Sequence, residues 1–117
     1  MADRRPITLR ERNDEILLLT ITPEVAGDDL TAVDTVEVYL KTSSCSSDSD
    51  STTLLLSSTD PTQVQIITQT AAEITARAFV PASALIGPYE RFWRTDGLTS
   101  AGRRRTAMYG PVTVTDL

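Results

Sequence analysis

The sequence contains no histidine, one cysteine (Cys45) and one lysine (Lys41). Without histidine the commonest general base and zinc ligand is missing. A serine nucleophile would have to draw on Lys41 or a carboxylate, and no motif places them together. A single cysteine cannot close an internal disulfide, so the fold must hold without one; Cys45, inside a polar stretch, reads as an exposed, unactivated thiol. Aromatic residues make up 5% of the chain, which leaves little material for a sugar cleft flanked by paired carboxylates. Long apolar runs are also missing. Ile16 to Leu19 is only four residues long, well short of a signal-peptide core or a membrane span, so no targeting segment and no membrane partner are expected and the chain reads as soluble and made in a cytoplasm. Together these absences read as a protein that is not an enzyme and takes no cofactor.

What remains is 117 residues and 12.8 kDa, enough for one small domain. The net charge is −5, which argues against a nucleic-acid partner, since phosphate contacts need a basic surface. The charge is segregated: residues 1–13 carry +2, residues 14–60 carry −9 and residues 61–117 carry +2. Such a layout suits ordered contact with charged neighbours or with further copies of the chain, while scattered solvated charge on a folded surface is the simpler account. Asp28-Asp29 and Asp48-Ser49-Asp50 offer oxygens to calcium, but the spaced carboxylates, internal glycine and terminal bidentate acid of a calcium loop are missing, so no metal site is assigned.

Serine and threonine supply about a quarter of the residues, and β-branched residues fall in short runs between turn signals. This is the pattern of an all-β domain. Ile7 to Arg10 and Glu15 to Thr22 read as strands, and the triple leucine in the second implies burial on both faces. Val33 to Lys41 is the clearest strand, with Val36, Val38 and Leu40 on one side and Glu37, Tyr39 and Lys41 on the other. Thr42 to Thr53 is too polar to bury and reads as a long exposed loop, followed by a short edge strand at Leu54 to Leu56. Val64 to Thr68 and Ile74 to Val80 follow, the second with Ile74, Ala76, Ala78 and Val80 on one face. Pro81 to Leu85 is compatible with one helical turn. Tyr89 to Thr95 is the next strand, Asp96-Gly97 opens a hairpin connection, and Arg104 to Tyr109 with Val112 to Thr115 closes the chain, Pro111 implying a bulge or an edge position. Seven to eight strands at these intervals favour a two-sheet sandwich spanning residues 7–117, preceded by an N-terminal arm at residues 1–6.

Three stretches carry a family resemblance. Asp29-Leu30-Thr31-Ala32 ahead of Val36-Glu37-Val38-Tyr39-Leu40-Lys41, Leu85-Ile86-Gly87-Pro88-Tyr89 ahead of Thr95-Asp96-Gly97, and the closing Gly110-Pro111-Val112-Thr113-Val114-Thr115-Asp116 resemble the immunoglobulin-like modules of tailed-bacteriophage virion proteins, including the N-terminal module of baseplate upper proteins. Ala32 stands where that pattern has glycine, and an extra residue pair precedes the strand. The resemblance implies an immunoglobulin-like β-sandwich, a structural role in the virion and Tyr89 at a tyrosine-corner position. It implies no catalytic residues.

The candidate contact residues are Arg4 and Arg5 in the arm, Tyr39 on the outer side of its strand, and the run Arg103-Arg104-Arg105, whose planar cations suit carboxylates of a neighbour. The simpler account of that run is strand alternation, which points successive arginines to opposite sides. Trp93 and Tyr89 share strand parity, and placing both in the core buries Arg91 between them unless a bulge or an interface intervenes. The function expected is a non-enzymatic component of a tailed-phage virion, joining or decorating capsid, portal or neck, or tail proteins as a symmetric homo-oligomer. The alternative is a receptor- or carbohydrate-binding module; Thr42 to Thr53 and Leu98 to Gly102, its natural ligand loops, hold no aromatic residue.

Overall fold

In the computed structural model of the chain, residues 3–10, 14–23, 29–41, 53–82, 90–100 and 102–115 are described. Their strands are β1 (Asp3–Arg4), β2 (Ile7–Arg10), β3 (Glu15–Ile21), β4 (Val33–Lys41), β5 (Leu54–Ser57), β6 (Val64–Gln69), β7 (Ile74–Val80), β8 (Glu90–Thr99) and β9 (Arg104–Thr115), with a short 3-10 turn at Leu30–Ala32. Strand alternation decides which side chains meet. Val36, Val38 and Leu40 of β4 are buried, as are Ile74, Ala76, Ala78 and Val80 of β7. These two stripes face each other across the interior and pack with Leu17, Leu19 and Ile21 of β3 and Met108, Val112 and Val114 of β9.

The larger sheet runs β1-β9-β8-β4-β5, with β2 also on β9, and the smaller runs β3-β7-β6. All pairings are antiparallel except those of β1 and β2, which lie parallel to β9. This is the immunoglobulin-like sandwich in which the first strand has moved across to pair with the last. The expected fold class is therefore present, and β5 lies at the end of its sheet as expected.

Four local expectations are corrected. The segment assigned to an arm at residues 1–6 belongs to the sheet over its described part. Asp3 and Arg4 pair with Met108 and Tyr109, the Arg5 amide donates to the Tyr109 carbonyl at 2.7 Å, and the Trp93 indole donates to the Arg5 carbonyl at 2.7 Å. Close approach is possible because residue 110 is glycine: a Cβ there would lie 2.5 Å from the Arg5 oxygen.

The second correction concerns β3, which is buried on one face only: Leu17 and Leu19 point inward, whereas Ile16 and Leu18 are exposed. Third, Asp96-Gly97 is not the hairpin. Strand β8 continues to Thr99, and the turn lies at Gly102, whose φ of 82° suits glycine. It is closed by the Gly102 amide donating to the Thr99 carbonyl at 2.9 Å and by that of Thr99 donating to the Arg103 carbonyl at 2.9 Å. Fourth, Pro111 makes no bulge, since Phe92 pairs with it in unbroken register. Its other side falls where the ladder is interrupted between Arg4↔Tyr109 and Ile7↔Val112. The bulge in this hairpin lies between Thr95 and Asp96. The proposed helical turn at Pro81 to Leu85 lies mostly outside the described residues, and Tyr89, Cys45 and the polar loop from Thr42 to residue 52 lie wholly outside them.

Candidate functional site

The arginine run is divided by the pleat of β9. Arg105 is opposite Gly97, which is itself opposite the fully buried Val36, so Arg105 stands on the inter-sheet side. Arg104 is opposite Leu98 and stands on the outer side, with Thr106, two residues on and ahead of the bulge, on the same side by strand alternation.

On that outer side Arg104 enters a closed polar cluster. Asp96 is fully buried, and its carboxylate accepts from Arg94 Nε at 3.0 and 3.1 Å, Arg104 Nη1 at 2.8 Å and Thr106 Oγ1 at 2.9 Å. Arg104 Nη1 also donates to Glu37 Oε1 at 2.9 Å and to the Tyr39 hydroxyl at 3.0 Å, and that hydroxyl donates to Glu37 Oε1 at 3.0 Å. Both guanidinium groups lie against the Tyr39 ring, Arg94 at 4.5 Å and Arg104 at 5.6 Å from its centre. The hydrogen bond to Asp96 raises the pKa of Arg104 above its usual value. Burial, followed by the hydrogen bond to Glu37, raises that of Tyr39.

Tyr39, chosen from the sequence as a contact residue, is thus only 4% exposed and lies beneath two arginines. Asp96 was missed because Asp-Gly reads as a turn. The available signal was parity: Asp96 lies opposite Glu37, and Arg94 opposite Tyr39, on the side of β4 that carries its charge.

The other arginines are elsewhere. Arg4 borders a shallow groove on the large sheet with Lys41, Phe92, Tyr109 and Pro111. Arg5, Arg103 and Arg105 converge on a second cleft of about 280 Å³, where the two sheets part beside the end of β3. Its inward positions on β8 include Gly97 and Thr99; with no large apolar side chain at either, the end of the core is left unfilled. Ile21, Leu30, Val33 and Ala107 give the cleft an apolar lining, and among the described residues Asp29 is its acid. That carboxylate caps the 3-10 turn, accepting from the Thr31 hydroxyl and from its amide at 2.9 Å, which lowers its pKa below the usual value.

A third surface is apolar. On the outer face of the small sheet Leu18 is 75% exposed, Ile16 55% and Ile67 47%. Ile16 lies opposite the partly exposed Phe79. Ile67 is turned out where the register shifts between Ile66 and Thr68. Trp93 and Arg91 both point inward, as parity requires, and are 4% and 8% exposed; the Trp93 indole is satisfied by the Arg5 carbonyl.

No family model matches the chain, and no curated protein matches it. The solved structures similar to it include a 2,6-sialyltransferase of Photobacterium sp. JT-ISH-224, crystallised with CMP and lactose, at 10% identity and a TM-score of 0.28. That likeness covers 99% of this chain but 18% of the enzyme, and at such a score it bears on neither fold nor activity.

Proposed function

We propose that the chain is a non-enzymatic structural component of a tailed-phage virion, joining or decorating capsid, neck or tail proteins through protein–protein contacts. The observation that carries this reading is the outer face of the small sheet, where Leu18 and Ile16 of β3 and, on the far side of β7 and its exposed Arg77, Ile67 of β6 stand in solvent. Clustered exposed aliphatics of this kind mark a surface that another protein covers. The family resemblance read from the sequence supplies the virion as the setting.

The test is to introduce Leu18→Glu into the phage genome and quantify the chain in gradient-purified particles. Incorporation should fall at least tenfold, on the order expected for a central apolar contact. Absence of the wild-type chain from purified particles would remove the virion reading. A second reading, receptor or carbohydrate binding, draws on the groove bordered by Phe92 and the 42%-exposed Tyr109. Saturable glycan-array binding that is abolished by Tyr109→Ala would favour it instead.

A further inference from the structure

We propose that the open edge of β3 pairs antiparallel with the same edge of a second copy of the chain, joining two small sheets into one across a two-fold axis at Leu18. The inference rests on the reading of this face as a contact surface, which it deepens by naming the partner, and it does not need the virion. Because β1 and β2 lie on β9, β3 pairs only with β7 among the described strands. One hydrogen bond fixes where its remaining backbone groups point. The Phe79 amide donates to the Gln63 carbonyl, so Phe79 and alternate residues of β7 bond toward β6. In the unbroken register of β3 on β7, Leu17↔Ala78 and Leu19↔Ala76 are then the hydrogen-bonded pairs. The amides and carbonyls of Ile16, Leu18 and Thr20 therefore point to the open edge, where none meets a backbone partner among the described residues.

The other sheet edges are guarded. β6 carries a bulge between Ile66 and Thr68 and the polar Gln65 and Gln69, β5 is four residues long, and the edge formed by β1 and β2 is interrupted at Pro6 and bears Arg4 and Arg10. Bulges, short strands, proline and charge are the devices that keep sheet edges from pairing. β3 has none of them: it runs seven residues without proline or bulge, and its outward positions are Ile16, Leu18 and Thr20. A second copy fits because this edge is its own complement. With Leu18 on the axis the whole strand overlaps, Ile16 falls opposite Thr20, and the leucine that is 75% exposed is covered by its own counterpart. Arg77, opposite Leu18 on β7, would stand three strand spacings or about 14 Å from its counterpart, beyond the screening length of about 8 Å, so it does not oppose pairing. The assembly also closes: the two-fold consumes both β3 edges and leaves the guarded β6 at either end. A seam of one strand buries less surface than a permanent dimer does, so the copies separate on dilution and meet where the chain is concentrated.

The experiment is sedimentation equilibrium of the full chain over a concentration series reaching about 1 mM, with amide hydrogen exchange followed by NMR at both ends of the series. A reversible monomer–dimer equilibrium is expected. The amides of Ile16, Leu18 and Thr20 should exchange at least tenfold more slowly at the concentrated end, while those of Leu17 and Leu19, bonded to β7, stay protected throughout. Leu18→Arg sets like charges against each other on the axis and should weaken the dimer at least tenfold. Thr20→Pro removes an amide that β7 does not use and should weaken it as much with the β3–β7 ladder intact. Gln65→Glu, on the guarded edge, should leave the dimer unchanged. Where a variant fails to fold, the exchange pattern of the wild type decides alone. A chain still monomeric at the concentrated end, a dimer without added protection at Ile16, Leu18 and Thr20, or a dimer that survives both β3 variants would overturn the proposal. A monomer that Leu18→Glu nevertheless excludes from particles overturns the pairing and leaves the contact surface to a different protein, whereas a dimer absent from particles supports the pairing and removes the virion.

Discussion

The two sheets of this sandwich treat their outer faces in opposite ways. The large sheet covers Asp96 and Tyr39 with Arg94 and Arg104, so that a carboxylate and a tyrosine ring are withdrawn from water beneath partly exposed cations. The small sheet leaves Leu18, Ile16 and Ile67 in solvent. A buried carboxylate is tolerated only where cations and hydrogen bonds surround it, so the cluster on the first face is complete in the isolated chain, while Leu55 and Tyr109 beside it stay 43% and 42% exposed. An exposed aliphatic face gains nothing from its own chain, and under the proposed function another protein covers it. The charged cluster is internally satisfied, and the apolar face is not.

The strongest way to break that comparison is to open the charged face. Asp96→Ala leaves Arg94 and Arg104 together over Tyr39 without the carboxylate that four hydrogen bonds attach to them and to Thr106. We expect a loss of about 3 kcal/mol, seen as a fall of roughly 10 °C or more in Tm. A change below about 0.5 kcal/mol would mean that the cluster is decoration.

Gly110→Ala attacks the edge of the same sheet. Its new Cβ would meet the Arg5 carbonyl oxygen at 2.5 Å, and backbone cannot step aside as a side chain would. The expected cost is about 2 kcal/mol, from overpacking and a lost indole hydrogen bond. Trp93 is the chain's single tryptophan, so a red shift of its emission would report release of the N-terminal segment directly. Tyr39→Phe is milder, about 1 kcal/mol at neutral pH, and has a pH signature. The folded pKa of Tyr39 is raised, so its contribution is whole below the unfolded value near about 10 and is lost as pH rises through the folded value. Denaturant titrations should show wild type losing more stability than Tyr39→Phe above about pH 10.

The inward stripes of β4 and β7 were legible because strict alternation over seven or more residues has one physical reading. The number of strands and the two-sheet sandwich followed from turn spacing. The buried cluster was not legible: Asp96-Gly97 carries the composition of a hairpin, and only the cations brought from β9 and from two residues upstream make burying the carboxylate cheaper than turning the chain. The N-terminal segment was misread for a related reason. Met1 to Pro6 is polar and basic, and what pins its described part is backbone pairing to β9 and the space above Gly110, neither of which leaves a mark in its composition. Arg103, Arg104 and Arg105 were singled out as one group. The pleat sends the middle one to the closed face and the outer two to the cleft.

Leu18 offers the finest test of the contrast, because the effect expected in the isolated chain is close to zero. At 75% exposure its side chain makes little of its own core, and Leu18→Thr puts a strand-favouring β-branched residue in its place. Its stability in denaturant should stay within about 0.5 kcal/mol of wild type. The same substitution at Leu19, one residue along and 2% exposed, should cost about 2 to 4 kcal/mol, through lost burial and a hydroxyl placed in the core. Adjacent leucines in a three-leucine run would then differ by most of the stability that one core side chain supplies. If Leu18→Thr proved as costly as Leu19→Thr, the small sheet's outer face would be covered by the chain itself and would not be a contact surface. If it is neutral in solution but lowers incorporation into particles, the exposed aliphatic row is held in place by what it touches there and not by the fold.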